Sequence, residues 1–241
     1  MITRRIAYIV PLFAASLVFG ACSDDTGDGD PPDPMAWYNG PESAALGAAG
    51  NQATCETCHA STAGATGYSG NTFADIAYND DFKNGAEDLL GGINACVTGW
   101  MGGTALTASD EGYMMLEAYL QEISDPAETT PNAIMPEVLD DEAAYELAYA
   151  GGDAAAGEAV YNSHCGQCHD SALIVGTTGA LAKAALSAFS VGRIAQKVRT
   201  SGPPPSGLND AVDSTPGPMP FFEMADLSQQ DLADIIAHIK G

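Results

Sequence analysis

Two short segments of the 241-residue chain share one arrangement of side chains, and this arrangement constrains the fold more than any other feature. In residues 55–59 and in residues 165–169, two cysteines stand three positions apart and a histidine follows directly. This C-x-x-C-H sequence is the attachment signature of a c-type haem. The two thiols can reach the two vinyl groups on one edge of a porphyrin, and the next residue then lies below the ring with its imidazole towards the iron. The predicted attachment residues are Cys55, Cys58, Cys165 and Cys168, and the predicted iron ligands are His59 and His169.

Two other uses of C-x-x-C pairs are compatible with the residues alone. Four cysteines in two pairs can form a structural zinc site, and a single pair can act as a redox dithiol. However, 106 residues lie between Cys58 and Cys165, and each pair has its own histidine. No βαβ pattern surrounds either pair, which disfavours the dithiol. We therefore predict two haems c per chain.

The first 21 residues have the organisation of an export signal. Two arginines are followed by an apolar stretch over residues 6–19 and by small residues before Cys22. The stretch is too short to favour a membrane-spanning helix. The segment resembles the lipobox of bacterial lipoproteins, although Phe19 stands where that motif usually has Leu. The resemblance implies acylation of Cys22 and a periplasmic or cell-surface location at a membrane; ordinary secretory cleavage after Ala21 is the alternative.

Charge narrows the class of partner. The chain has 8 Lys and Arg against 32 Asp and Glu, a net charge of −24, which becomes −26 when the two arginines of residues 1–21 are removed. A nucleic-acid binder needs a basic face, so this class is excluded. Redox partner proteins that are basic or weakly charged fit better. Because 46% of the residues are hydrophobic and only 17% are charged, the chain can bury a core.

Composition and helical patterning divide the remaining chain into four parts. We predict a disordered acidic tether over residues 22–43, a first domain over 44–125, a linker over 126–151 and a second domain over 152–241. The tether is rich in Asp, Pro and Gly and almost lacks apolar residues. The two domains form an internal repeat, because each has a glycine eight residues before its first cysteine and ends in an amphipathic helix. Ser109 and Ser228 are the predicted N-caps of these closing helices.

The second unit resembles the class I cytochromes c from end to end. Gly157 and Tyr161 stand where that family crosses its N-terminal helix against its C-terminal helix. Pro218-Met219-Pro220-Phe221 is similar to the distal methionine loop of the family, 50 residues after His169. The resemblance implies that His169 and Met219 are the two axial ligands of this haem. A thioether is a neutral soft donor that favours Fe(II).

The first unit departs from that pattern and has Asn51 where the repeat has Tyr161. Its Ile93-Asn94-Ala95-Cys96 segment, with the helix that follows, resembles the thiosulfate dehydrogenase and SoxA-type sulfur-oxidation cytochromes. In those proteins the cysteine of this segment is the distal haem ligand, which implies the same role for Cys96. Met101 is the alternative ligand, and an open iron position comes third. A further interpretation of Cys96 is a small buried hydrophobic residue.

These observations predict a mainly α-helical protein of two tandem cytochrome c-like domains whose function is electron transfer. The alternative is an enzyme of the thiosulfate dehydrogenase type that oxidises a small sulfur anion at a Cys-ligated haem. Whether the chain is an enzyme stays open, but an electron carrier is favoured because Lys83 is the one basic residue of the first predicted domain. A dihaem peroxidase is disfavoured because the chain is short for that class and has no evident distal acid–base pair.

Overall fold

The computed structural model describes residues 32–59, 72–82, 86–131, 136–201 and 219–241. The predicted export signal, residues 22–31 of the predicted tether, which include Cys22, and Lys83 lie outside these residues. Residues 32–241 form one compact unit, within which we call residues 32–131 the N-terminal half and residues 136–241 the C-terminal half. In the described ranges, no helix is both long enough and apolar enough to cross a bilayer.

Helices provide nearly all of the regular structure, so the prediction of a mainly α-helical protein is confirmed. The N-terminal half contains α1 (Ala36–Asn39), α2 (Pro41–Ala45), α3 (Cys55–Cys58), α4 (Leu89–Gly99) and α5 (Glu111–Glu122). The C-terminal half contains α6 (Glu142–Ala148), α7 (Ala154–His164), α8 (Gly166–His169), α9 (Lys183–Leu186), α10 (Val191–Thr200) and α11 (Gln229–Lys240). An antiparallel hairpin of β1 (Ile174–Val175) and β2 (Thr178–Gly179) follows α8.

The closing helices begin with polar caps, as the sequence predicts, although one cap is displaced. Ser228 accepts a hydrogen bond from the Asp231 amide at the start of α11, which confirms the predicted cap. The N-cap of α5 is Asp110, so the predicted start at Ser109 is wrong by one residue. The Asp110 carboxylate accepts a 2.5 Å hydrogen bond from the Thr107 amide, which lowers the pKa of Asp110 and turns the chain into the helix.

The core of the N-terminal half includes an aromatic residue from the segment predicted as tether. Tyr38 on α1 is completely buried, and its ring centroid lies 4.8 Å from that of Tyr119 on α5. The same core contains Leu89, Leu116 and Leu120. Ordered structure therefore begins before residue 44, because burial of Tyr38 outweighs the turn-forming Pro, Asp and Gly residues around it.

The core of the C-terminal half is built around the crossing of α7 and α11. A Cβ atom at Gly157 would lie 2.0 Å from the carbonyl oxygen of Asp234, so only glycine permits this approach. Tyr161, one turn further along α7, is 1% exposed. The apolar stripe predicted for α11 is buried at all four positions: Leu232, Ile235, Ile236 and Ile239.

Residues from the segment predicted as a linker also enter this core. Tyr145, within α6, and Tyr149, which directly follows it, are at most 1% exposed. Gly192 of α10 packs so closely on α6 that a Cβ atom there would lie 2.2 Å from the Glu142 carbonyl oxygen. The sequence predicts that this segment is helical. It contains few apolar residues, so the sequence does not indicate that its tyrosines are buried.

A buried charge joins the same segment to α10. Arg199 on α10 is fully buried, and its Nε lies 2.8 Å from the Tyr149 hydroxyl and 3.5 Å from the Glu137 carboxylate. Tyr149 donates its own proton to Glu137. Burial, followed by this hydrogen bond, raises the pKa of the Tyr149 hydroxyl.

Candidate functional site

The C-x-x-C-H motif of the C-terminal half is folded so that one nitrogen of its histidine is already used. The Nδ1 atom of His169 lies 2.6 Å from the carbonyl oxygen of Leu181. A carbonyl oxygen can only accept, so Nδ1 has the proton and Nε2 keeps its lone pair. This is the tautomer that a metal-binding histidine needs, with its outer nitrogen oriented by a fixed acceptor.

Met219 lies on the segment that runs from the described end of the distal loop into α11. Its side chain packs against the same core as Cys165. Backbone contacts hold the segment to the end of α10: Ser201 Oγ donates to the Met219 carbonyl at 2.5 Å, and the Phe222 amide donates to the Val198 carbonyl at 2.8 Å. Pro218 lies outside the described residues.

Arg199 adds a third attachment to this segment. Its Nη1 donates to the carbonyl oxygens of Phe222 and Glu223 at 3.1 and 3.2 Å. The other terminal nitrogen, Nη2, is buried without a hydrogen-bond partner. A buried guanidinium nitrogen without an acceptor is costly, so this atom suits the carboxylate of a bound group.

The motif of the N-terminal half is supported by different contacts. Thr54 caps α3 through a reciprocal pair of hydrogen bonds with Thr57. The hydroxyl of Tyr38 donates to the carbonyl oxygen of His59. The His59 ring stacks on Phe73, with centroids 4.0 Å apart and an interplanar angle of 17°. The hydrogen bond from Tyr38 thus fixes the main chain of His59, and stacking on Phe73 orients its ring.

Cys96 lies near the first attachment cysteine in space although it follows it by 41 residues. Burial is the main cause of the raised pKa of Cys55, and the negative charge of an ionised Cys96 raises this pKa further. The Asn94 side chain fastens the Cys96-bearing helix α4 to a loop, because it donates to the Leu106 carbonyl at 2.9 Å and accepts from the Leu106 amide at 2.7 Å.

Met101 occupies a different environment from Cys96. It is 6% exposed, and its carbonyl oxygen accepts a 2.7 Å hydrogen bond from the Ala48 amide. The choice of distal ligand in this half stays a prediction.

Both motifs contain thiols that resist ionisation. Burial raises the pKa of Cys55 to about 11, against a smaller lowering by the Ser43 hydroxyl. Burial also raises the pKa of Cys165 to about 12 and that of Cys168 above its usual value. Reactive dithiols have lowered pKa values, so the raised pKa values of Cys55, Cys165 and Cys168 disfavour a redox dithiol.

The two motifs face each other across the boundary between the halves. The side chain of Gln167, inside the second motif, donates to the Thr57 carbonyl, inside the first, at 3.4 Å. An open cleft of about 270 Å³ lies between them, lined by Thr54, Glu56, Thr57, Gln167 and Leu173.

Asn51, the position at which the first unit departs from the repeat, explains part of this arrangement. Its side chain accepts from the Gly176 amide at 2.9 Å and donates to the Ala44 and Ala53 carbonyls. A tyrosine here could not make these three contacts at once. The departure therefore serves the contact between the halves.

The residues fit a covalently attached haem better than the alternatives. In the described part of the chain, no three His, Cys, Asp or Glu side chains form a group that could hold a metal ion directly, which disfavours the four-cysteine zinc site. Cysteines outside disulfide bonds, a correctly protonated His169 and an unsatisfied Arg199 nitrogen are what a porphyrin with two carboxylates requires.

Comparison with protein families supports this interpretation for the C-terminal half. Residues 152–239 match the family model described as cytochrome c oxidase, cbb3-type, subunit III. This region is a cytochrome c-type domain. Such a domain binds haem c covalently and transfers electrons through it to and from redox partner proteins. This cytochrome c-type domain, residues 152–239, makes up less than half of the chain.

One solved structure is similar over most of the chain. It is the as-isolated form of thiosulfate dehydrogenase from Marichromatium purpuratum, with 18% sequence identity and a TM-score of 0.41. The similarity covers 86% of this chain and 44% of that chain, so this chain spans less than half of the enzyme's length. Comparison with curated protein sequences finds no match.

Three residues with evident structural roles at the site have no sequence prediction behind them: Asn51, Gln167 and Arg199. Two of them contact partners more than 100 positions away, and the third pairs with Tyr149 at a separation of 50. A local pattern cannot reveal such contacts. The one available signal is Asn51 itself, since it breaks the repeat.

Proposed function

We propose that the chain is an exported dihaem cytochrome c that carries electrons between redox proteins. In this proposal Cys55 and Cys58 attach one haem and Cys165 and Cys168 attach the other. The iron ligands are His59 with Cys96, or with Met101 as the alternative, and His169 with Met219. A lipid on Cys22 holds the protein at a membrane facing the periplasm or the cell exterior.

The observation that carries the dihaem proposal is the setting of the N-terminal motif. It has its own hydrophobic core, against which Cys55 packs, and its own histidine stacked on Phe73. It also contacts the motif of the cytochrome c-type domain. A C-x-x-C-H segment that occurred by chance would not be expected to have these three features.

When bound, each haem supplies an iron that cycles between Fe(III) and Fe(II). The chain's residues determine how readily it does so. Leu181 orients the proximal imidazole through Nδ1, and Met219 offers a neutral thioether. Cys96 would bind as an anionic thiolate, which stabilises Fe(III). With these ligands, Cys96 would give the N-terminal site the lower potential, and Met219 would make the C-terminal site the electron acceptor of the pair.

Intact mass spectrometry of protein matured in a host with a cytochrome c assembly system tests the number of haems. Wild type should exceed the mass of its polypeptide by two haems. Cys55→Ala with Cys58→Ala should lose one, and Cys165→Ala with Cys168→Ala should lose the other. Cys96→Ala is the matched control, because it removes a cysteine but no attachment site. A wild-type protein with one haem or none contradicts the proposal.

A thiosulfate dehydrogenase is the second candidate, and Cys96 is the observation that favours it. The residue lies near Cys55 on a helix fastened by Asn94, in the segment that resembles the sulfur-oxidising cytochromes. Against it, the described residues of the N-terminal half include acids but no Lys or Arg, and an anionic substrate needs a positive site. Steady-state oxidation of thiosulfate with an artificial electron acceptor separates the candidates, because a carrier gives no turnover.

A further inference from the structure

We propose that the contact between the two halves is an electron relay, with Gln167 as its positioning residue. This inference rests on the proposed presence of two haems. The relay consists of the Gln167–Thr57 contact and of a seam that holds it, which we define as residues 48–52 and 100–103 of the N-terminal half and 174–176 of the C-terminal half. Its role is to keep the attachment sides of the two haems adjacent.

The path through the relay is short in chemical bonds. Gln167 directly precedes Cys168, and Thr57 directly precedes Cys58. One hydrogen bond, from Gln167 Nε2 to the Thr57 carbonyl, joins these neighbours of the two attachment cysteines. Both cysteines are covalently bound to their haems in the mature protein, so the path is otherwise made of covalent bonds.

Hydrogen bonds on the N-terminal side of the first motif hold the relay in place. The Gln52 amide donates to the Ile174 carbonyl at 2.8 Å, and the Ile174 amide donates back to the Gln52 side chain at 3.0 Å. Asn51 accepts from Gly176 at 2.9 Å. These bonds fix β1, five residues after His169, beside the chain that leads into Cys55.

Two glycines with left-handed backbones meet where the halves are in contact, and one of them, Gly176, leaves no room for a side chain. Gly102 has φ +67° and Gly176 has φ +63°. A Cβ atom at Gly176 would lie 2.7 Å from the Trp100 carbonyl oxygen of the other half, and one at Gly102 would lie 3.8 Å from the Gly176 Cα. A side chain at position 176 must therefore move the halves apart or distort the hairpin.

The step that the relay supports is balanced within the chain. One electron leaves the ferrous iron of one half and reduces the ferric iron of the other, and no atom or external reactant is involved. Because the donor and acceptor belong to one polypeptide, the step is first order in protein. The two haems should also couple optically, since transition dipoles interact strongly at short separation.

The seam is tested with the dihaem protein by circular dichroism in the Soret region. Wild type should show a two-signed couplet from the adjacent haems. Gly176→Ala should reduce or abolish the couplet, and Gly179→Ala on the same hairpin should leave it intact, because the nearest atom to a Cβ there is 3.6 Å away. If the wild-type protein has two haems by mass but no couplet, the proposal that the seam keeps the haems adjacent is wrong. A protein that has one haem fails the proposed function instead.

Gln167 is tested by flash reduction with less than one electron per molecule, which follows redistribution of that electron between the haems. Wild type should show a phase whose rate constant does not change with protein concentration. Gln167→Ala should slow this phase and keep the couplet. Gln121→Ala, an exposed glutamine on α5, is the control. Equal rate constants in Gln167→Ala and wild type overturn the role of Gln167, and a purely concentration-dependent phase in wild type overturns the relay.

Discussion

Replacement of Glu137 by Gln should destabilise the C-terminal half, because it leaves the buried positive charge of Arg199 without its ion-pair partner. Arg199 is completely buried, and the Glu137 side chain is 22% exposed. Glu137→Gln keeps the size of the side chain but removes the counter-charge. The hydrogen-bond partners of the buried guanidinium are then the Tyr149 hydroxyl and two carbonyl oxygens, which are dipoles, and the Asp226 carboxylate is a charge that still acts on it.

Removal of one partner of a buried ion pair costs about 3–5 kcal/mol. We expect the lower end, about 3 kcal/mol, because Glu137 keeps some contact with water and the other acceptors of Arg199 remain. For a unit of this size, that loss lowers the melting temperature by roughly 6–12 °C. The haem ligand should respond as well, since Arg199 holds the segment that follows Met219.

Two measurements check this expectation. Denaturant unfolding of the haem-loaded protein gives the free-energy difference, and low-temperature EPR of the oxidised protein reports whether Met219 still binds. Glu122→Gln, the same change at an exposed site on α5, should alter neither. If Glu137→Gln lies within about 0.5 kcal/mol of wild type, as surface substitutions do, the buried pair does not have the role argued here.

Three other outcomes follow from the structure and the sequence. Gly157→Ala places a methyl group 2.0 Å from the Asp234 carbonyl oxygen, so unfolding should need about 1–3 kcal/mol less free energy; an unchanged denaturation midpoint would refute the tight crossing. Cys22→Ala should release the protein from the membrane fraction on cell fractionation, and a wild type that is already fully soluble has no lipid anchor. In a redox titration Cys96→Met should raise only the lower of two waves, and Met219→Ala should disturb only the higher; if Cys96→Ser changes neither wave, Met101 replaces Cys96 as the candidate.

Local signals predicted the closing helix well. The cap at Ser228 and the stripe that includes Leu232 and Ile236 depend on residues within one or two turns of each other, so the sequence contains all the information needed. The role of Gly157 at the α7–α11 crossing was also predictable, although from the resemblance to class I cytochromes c and not from helical periodicity. Its position in the structure confirms that the two helices meet there.

The boundaries of the ordered regions were harder to predict for a physical reason. Tyr38 and Tyr149 belong to stretches whose composition is otherwise that of a tether or a linker, yet both are buried. One aromatic ring removes enough apolar area from water to order a short helix. Average composition over a segment conceals such single residues. The partners of Arg199 and Gln167 were beyond prediction because folding alone brings them together.

The acceptor that orients His169 has a consequence for how the potential of the C-terminal haem can vary. Leu181 contributes its main-chain oxygen, not its side chain, and the side chain is 50% exposed. Mutation at position 181 can therefore alter the surface presented to a partner while the imidazole keeps its hydrogen bond. The preference for a docking partner can therefore change through the Leu181 side chain while the potential of the haem, which depends on the Leu181 main-chain oxygen, stays the same. A proline at position 182 would be the exception, because it changes the amide to which that oxygen belongs.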